Sequence, residues 1–71
     1  MPVLNRLKQA LQHELDAVEK YLRLAKEELD EDLKLMYKES ADISGTRGKL
    51  FEDKIKKIVS ERKKEGGENK E

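Results

Sequence analysis

The chain has 71 residues, no cysteine and one histidine, and 45% of its residues are charged, with sixteen bases against sixteen acids. A chain this short forms at most one domain and buries only about 60% of the surface exposed on unfolding, so it needs reinforcement. The composition excludes disulfides and thiolate metal sites. No apolar run approaches the roughly 20 residues that span a bilayer, and the start lacks a secretory signal pattern. We expect a cytoplasmic protein reinforced by oligomerisation.

The first predicted element is a helix over residues 3–28. Pro2 suits a first helical turn, where its missing N–H is no loss. Apolar residues then recur every three or four positions, and eleven such steps cover 39 residues, a mean of 3.55. This value lies between the coiled-coil and straight-helix periods. The stripe consists of Leu4, Leu7, Leu11, Leu15, Val18, Leu22, Ala25, Leu29, Leu33, Met36, Ser40 and Ile43.

The acidic segment 28–32 predicts a tight turn, and a second helix follows over residues 31–64. Asp30 or Asp32 is expected to cap that helix, whose first turn favours acidic side chains. Gly45 and Gly48 mark a second possible break, because glycine in a helix interior costs roughly 1 kcal/mol relative to alanine. The sequence therefore predicts an all-α antiparallel two-helix hairpin. The alternative is a three-helix chain broken at 44–48, with helices 3–28, 31–43 and 47–64.

The C-terminal part divides into an apolar helix face and a charged tail. That last apolar face consists of Phe51, Ile55, Ile58, Val59 and the stem of Arg62. Residues 65–71 contain two glycines and nothing to bury, so we expect them to be disordered. The predicted domain is residues 1–64.

Charge is unevenly distributed along the chain. Residues 14–42 carry ten acids and five bases, whereas residues 43–64 carry eight bases and three acids. The two segments attract, which favours antiparallel docking within one chain or between two. The basic segment is also an amphipathic helix that could contact nucleic acid, an alternative that we disfavour because the basic face does not dominate the domain. The residues concerned are Lys54, Lys56, Lys57, Arg62, Lys63 and Lys64.

A stretch of the first helix resembles the first helix of rubrerythrin-type ferritin-like proteins. Glu14, Ala17 and Tyr21 stand where that family has a ligand glutamate, an alanine three positions on and a tyrosine four further. The resemblance covers residues 14–58 and implies a ferritin-like half-bundle. Ferritin-like sites are built from four helices, so a two-helix chain would have to dimerise to form that architecture.

The same resemblance implies that the iron site of the family is not retained. Its second-helix Glu-x-x-His motif falls on Ser44 and Arg47. A hydroxyl is a poor iron ligand, and a guanidinium has no lone pair to donate. Arg47 could instead form a salt bridge with Glu14. We therefore expect no cofactor and no metal.

Other chemistry has little support in the sequence. The weak alternative metal cluster is Glu14, His13 and Asp16, of which the last two share a helix face. One histidine cannot serve three separate serines, so no nucleophile with a nearby base is evident. We expect a protein that is not an enzyme.

The leading hypothesis is a helical oligomerisation or interaction module, in which two hairpins form a homodimeric four-helix bundle or one hairpin packs against another helical protein. The alternatives are a nucleic-acid-binding protein and an iron-handling oligomer with a rebuilt carboxylate site. No membrane partner is expected. An aspartate at Leu22, in mid-stripe, is expected to unfold or dissociate the protein. The predicted interface residues are Leu11, Leu15, Val18, Leu22, Leu29, Leu33, Met36, Phe51, Ile55 and Ile58.

Overall fold

The structure, a computed structural model, describes residues 2–64 and consists there of two helices. α1 spans Pro2–Glu27 and α2 spans Glu31–Lys64. They pack antiparallel into a hairpin 54 Å long and 13–15 Å across. The predicted all-α hairpin is confirmed, with the end of α1 one residue earlier than expected. The expected tail, residues 65–71, lies outside the described residues.

Asp30 is the residue that caps α2. Its Oδ1 accepts a hydrogen bond from the Leu33 N–H at 3.0 Å, while its carbonyl oxygen accepts one from the Lys34 N–H at 2.9 Å. Glu28 closes the turn by accepting a bond from the Asp30 N–H at 3.0 Å. Of the two acids that the sequence offers as caps, position 30 is therefore the one used, and Asp32 lies in the first helical turn.

Replacing Asp30 with alanine is expected to lower the free energy of unfolding by about 1 kcal/mol, because the Leu33 N–H loses its acceptor. Urea unfolding followed by circular dichroism measures the loss. Asp32→Ala is the matched control, since it removes an exposed acid from the same end of the helix without removing the cap. Equal losses in the two variants would show that charge near the helix terminus matters, and not the cap.

α2 runs without interruption through residues 44–48, so the three-helix alternative is not adopted. Packing of the glycines on α1 explains the continuity. A Cβ placed on Gly48 would lie 3.6 Å from Leu11 Cδ1 and 3.7 Å from Glu14 Cβ. A Cβ on Gly45 would lie 3.9 Å from Val18 Cγ2. Contact between the helices at this point offsets the intrinsic cost of glycine in a helix.

The two helices meet along one continuous seam, in which buried and half-buried positions alternate at spacings of three and four residues. This is the heptad pattern of a left-handed coiled coil. On α1 the seam positions are Leu4, Leu7, Leu11, Glu14, Val18, Tyr21 and Ala25, and Glu28 of the turn continues the same spacing. On α2 they are Lys34, Tyr37, Ala41, Ser44, Gly48, Phe51, Ile55, Ile58 and Arg62.

The buried core within this seam is thin. Its buried apolar side chains are Leu4, Ala25 and Ala41, and Ser44 is buried in the same seam. Two of the three apolar residues are alanines, which remove little apolar surface from water. The described part of a single hairpin therefore gains only modest stability from its own core.

Candidate interaction surfaces

Residues beside the seam fall on two opposite flanks of the hairpin. Because each residue of an α-helix advances by about 100°, the position before a seam residue and the position after it point to different sides. One flank is apolar on both helices, and we call it the Ile43 face. Its members are Ala17, Leu24, Leu33, Met36, Ile43 and Leu50.

Tyr21 shows that the two helices contribute to the same face. It borders a shallow groove of about 520 Å³ whose other apolar lining is Ala17 and Leu24 of α1. It also borders a groove of about 210 Å³ that is lined by Ile43 and Arg47 of α2. The side chains of Met36 and Leu50 follow at seven residues before and after Ile43, and hence lie along the same side of α2. The grooves join across Tyr21 into one surface.

The opposite flank carries a narrower apolar surface, which we call the Leu22 strip. It consists of Leu15 and Leu22 of α1 and Leu29 of the turn, spaced seven residues apart. On α2 this flank has Lys38, Asp42 and Lys49 between the apolar residues Leu35 and Val59. On the Ile43 face, by contrast, the only charged residue of α2 between residues 33 and 50 is Arg47. The Ile43 face is thus the broader and less charged of the two.

The ten predicted interface residues are divided among these surfaces. Half of them lie in the seam between the two helices of one chain, namely Leu11, Val18, Phe51, Ile55 and Ile58. Three form the Leu22 strip, and Leu33 and Met36 lie on the Ile43 face. Leu22 itself is 51% exposed. An aspartate at Leu22 would therefore remain in water within the hairpin, and the expectation that this change unfolds the chain no longer follows.

The residues considered for metal binding point in different directions. His13 and Asp16 are exposed and line the groove beside Tyr21, whereas Glu14 is a seam residue that faces Gly48. The Asp16 carboxylate accepts a hydrogen bond from Gln12 Nε2 at 2.9 Å. In the described part of the chain, no group of three or more His, Cys, Asp or Glu side chains could hold a metal ion.

Ser44 and Arg47, which stand at the ligand positions implied by the ferritin-like resemblance, also lie apart. Ser44 is buried in the seam, and Arg47 is exposed on the Ile43 face. Within residues 2–64, Arg47 forms no ion pair with Glu14. The suggested salt bridge is therefore not formed in this hairpin.

The basic residues near the end of α2 do not form one stripe. Lys54, Lys56 and Lys57 are exposed, but residues 54 and 56 lie about 200° apart around the helix. Arg62 is a half-buried seam residue that has an interaction partner. The side chains at positions 63 and 64 lie outside the described residues. Lys54 and Lys57, three residues apart, share one side of the helix, so a phosphate backbone that followed this side would meet two of these three lysines.

The fold sorts charge along the length of the hairpin. The contacts of Gly48 with residues 11 and 14, and of Gly45 with residue 18, place residues 16–28 opposite residues 34–46. The half near the turn, residues 16–46, carries nine acids and five bases, a net charge of −4. The open half, residues 2–15 and 47–62, carries eight bases and four acids, a net charge of +4. Folding thus packs the acidic segment mostly on itself. Of the two dockings that the charges favour, within one chain or between two, the one within a chain is therefore not the main packing of this hairpin.

The sequence matches no family model, and neither the curated proteins nor the solved structures provide a significant match. No helix within residues 2–64 is long and apolar enough to cross a membrane. The ferritin-like resemblance therefore stays a hypothesis that rests on residues 14–58 of the sequence.

Proposed function

We propose that this protein is a non-enzymatic helical interaction module that self-associates, with two hairpins forming a four-helix bundle. The observation that carries the proposal is the imbalance between buried and exposed apolar side chains. Three apolar residues are fully buried in the described hairpin, whereas ten large apolar residues are 36–93% exposed. Four of the ten, namely Leu33, Met36, Ile43 and Leu50, lie together on the Ile43 face, and grouped exposed apolar side chains of this kind are typical of an interaction site.

The Ile43 face is the surface that we assign to self-association. It extends across both helices, whereas the Leu22 strip occupies only the edge of α1. Along α2 the Ile43 face extends from residue 33 to residue 50, about 25 Å at 1.5 Å per residue, which is roughly half of the 54 Å length of the hairpin. A second hairpin on this face would cover Met36, Ile43 and Leu50 and provide the missing core.

The grooves of the structure favour binding over catalysis. His13 lies with Asp16 and Lys20 in the first groove, whereas Ser40 and Ser44 line the second. In these two grooves of the described hairpin the histidine and the serines are therefore separate, and neither groove pairs a serine nucleophile with an adjacent imidazole base. A dimer of hairpins also provides the four helices that the ferritin-like resemblance implies.

Light scattering coupled to size exclusion is expected to give about twice the chain mass of 8.3 kDa. Ile43→Asp is expected to halve that mass, because a carboxylate in the middle of the Ile43 face loses its hydration on association. Leu22→Asp is the matched control, since Leu22 and Ile43 are similarly exposed, at 51% and 53%. The control is expected to remain a dimer.

Two outcomes contradict this proposal in different ways. A monomeric parent protein with a helical circular dichroism spectrum would exclude self-association altogether. A dimer that is dissociated by Leu22→Asp, and not by Ile43→Asp, would move the interface to the Leu22 strip. Circular dichroism of both variants tests whether a change in mass is caused by unfolding.

A further inference from the structure

We infer that the dimer is antiparallel, with the turn of each hairpin beside the open end of its partner. This inference deepens the proposed self-association and rests on it. It names the occupant of the Ile43 face as a second copy of this chain, and it fixes the direction in which that copy lies. The direction follows from the distribution of charge along the folded hairpin.

The hairpin is electrically polar along its length. The half near the turn has a net charge of −4 and the open half a net charge of +4, and packing within one chain leaves both charges in place. An antiparallel partner brings each half against the half of opposite sign. A parallel partner would place −4 against −4 at one end and +4 against +4 at the other.

The two directions differ in electrostatic energy because the charges of two packed hairpins lie close together. Packed helices lie 8–10 Å apart, and the screening length at physiological ionic strength is about 8 Å. Charges on one hairpin are therefore only partly screened from those at the same level of the partner. Like charges at the same level disfavour the parallel dimer, and unlike charges at the same level favour the antiparallel dimer. Apolar burial holds the two copies together, and charge selects their direction.

The antiparallel arrangement also determines which helices meet. A two-fold axis perpendicular to the hairpin and parallel to its face places α1 on α1 and α2 on α2, with levels reversed along the bundle. The α1 part of the face carries Ala17 between His13 and Lys20, whereas α2 carries Met36, Ile43 and Leu50. The apolar contact between the two copies is then expected mainly where α2 packs on α2.

Two single-cysteine variants test the direction, because the chain has no cysteine of its own. Leu29→Cys labels the turn and Ser60→Cys labels the open end, and neither change alters the net charge. Residue 60 lies at the level of residue 2, so the two label levels differ by about 27 residues, or roughly 40 Å at 1.5 Å per residue. Spin labels and pulsed dipolar spectroscopy measure the distances between chains.

In the antiparallel dimer, each variant alone is expected to give a separation near 40 Å, while a mixture of the two variants adds a distance shorter than about 25 Å. In a parallel dimer these values are exchanged, so short distances in the separate variants and a long one in the mixture would overturn the inference while leaving self-association intact. A monomeric mass for the unlabelled protein would overturn both. Light scattering on the labelled variants confirms that they have the same mass as the parent.

Discussion

Ala41→Asp is expected to abolish folding of the hairpin at room temperature. Ala41 is 4% exposed and lies in the seam, where the register places it opposite Tyr21 of α1. A carboxylate there would lose its hydration without gaining a cationic partner, which costs several kcal/mol. Small domains have little stability in reserve, so a loss of this size is enough to populate the unfolded state. Circular dichroism at 222 nm and urea titration measure the effect.

Thr46→Asp is the matched control for this change. Thr46 is exposed on the outer side of α2, and threonine and aspartate have similar helix propensities. The control is therefore expected to change the free energy of unfolding by less than about 0.5 kcal/mol. If both variants melted alike, the helix itself and not the seam would be sensitive to the new charge, and the register of the hairpin would have to be revised.

The number of helices and their limits could be predicted from the sequence because the signals are local. Turn chemistry at residues 28–32 and sustained helical spacing on both sides specify a hairpin, and the structure has its two helices at Pro2–Glu27 and Glu31–Lys64. The choice between a weakened and a broken helix at residues 44–48 could not be made locally. It depends on contact of Gly48 with Leu11 and Glu14, which lie more than thirty residues away in sequence.

The side of each helix that forms the seam was harder to predict. At two places on α1, and again in the turn, a seam residue is followed directly by an exposed leucine, as at Tyr21 and Leu22. A stripe drawn through the most apolar residues selects the leucine, whereas the seam uses the residue before it. On α2 the same stripe passes through Met36 and Ile43, both exposed, while the seam uses Tyr37 and the buried Ser44. The chain has more apolar residues than one seam needs, and hydrophobicity alone cannot assign them to two surfaces.

The small residues of α2 identify the side of the helix that packs on α1. Ala41, Ser44 and Gly48 are weak hydrophobic signals in a sequence, yet they are buried because they let the backbones approach. Larger seam residues of α1, such as Leu11 and Tyr21, then fill the space opposite them. The spacing of small residues by three and four positions was the available signal for the seam, and the leucines beside it are the corresponding signal for the interaction surfaces.

The double variant Gly45→Ala with Gly48→Ala is expected to raise the free energy of unfolding by about 1–2 kcal/mol. Each alanine removes the helix cost of glycine, which is roughly 1 kcal/mol per residue. Both new Cβ atoms have room, since their nearest neighbours lie 3.6–3.9 Å away, at ordinary contact distance. For a domain of this size the melting temperature should rise by about 4–8 °C for each kcal/mol. Thermal unfolding at fixed protein concentration measures the gain, because association also shifts the transition.

Leucine at the same two positions separates the seam from the surface beside it. Gly48→Leu is expected to destabilise the hairpin by about 1–3 kcal/mol, because the atoms beyond Cβ would overlap Leu11 and Glu14. Gly45→Leu has only Val18 nearby at 3.9 Å and an exposed position, so it is expected to be tolerated. A loss of stability at Gly48 without a loss at Gly45, three residues away, would establish which side of α2 faces α1. Equal destabilisation would place both glycines against α1 and equal tolerance would place both away from it, and in either case the Ile43 face would lose the geometric basis for its assignment.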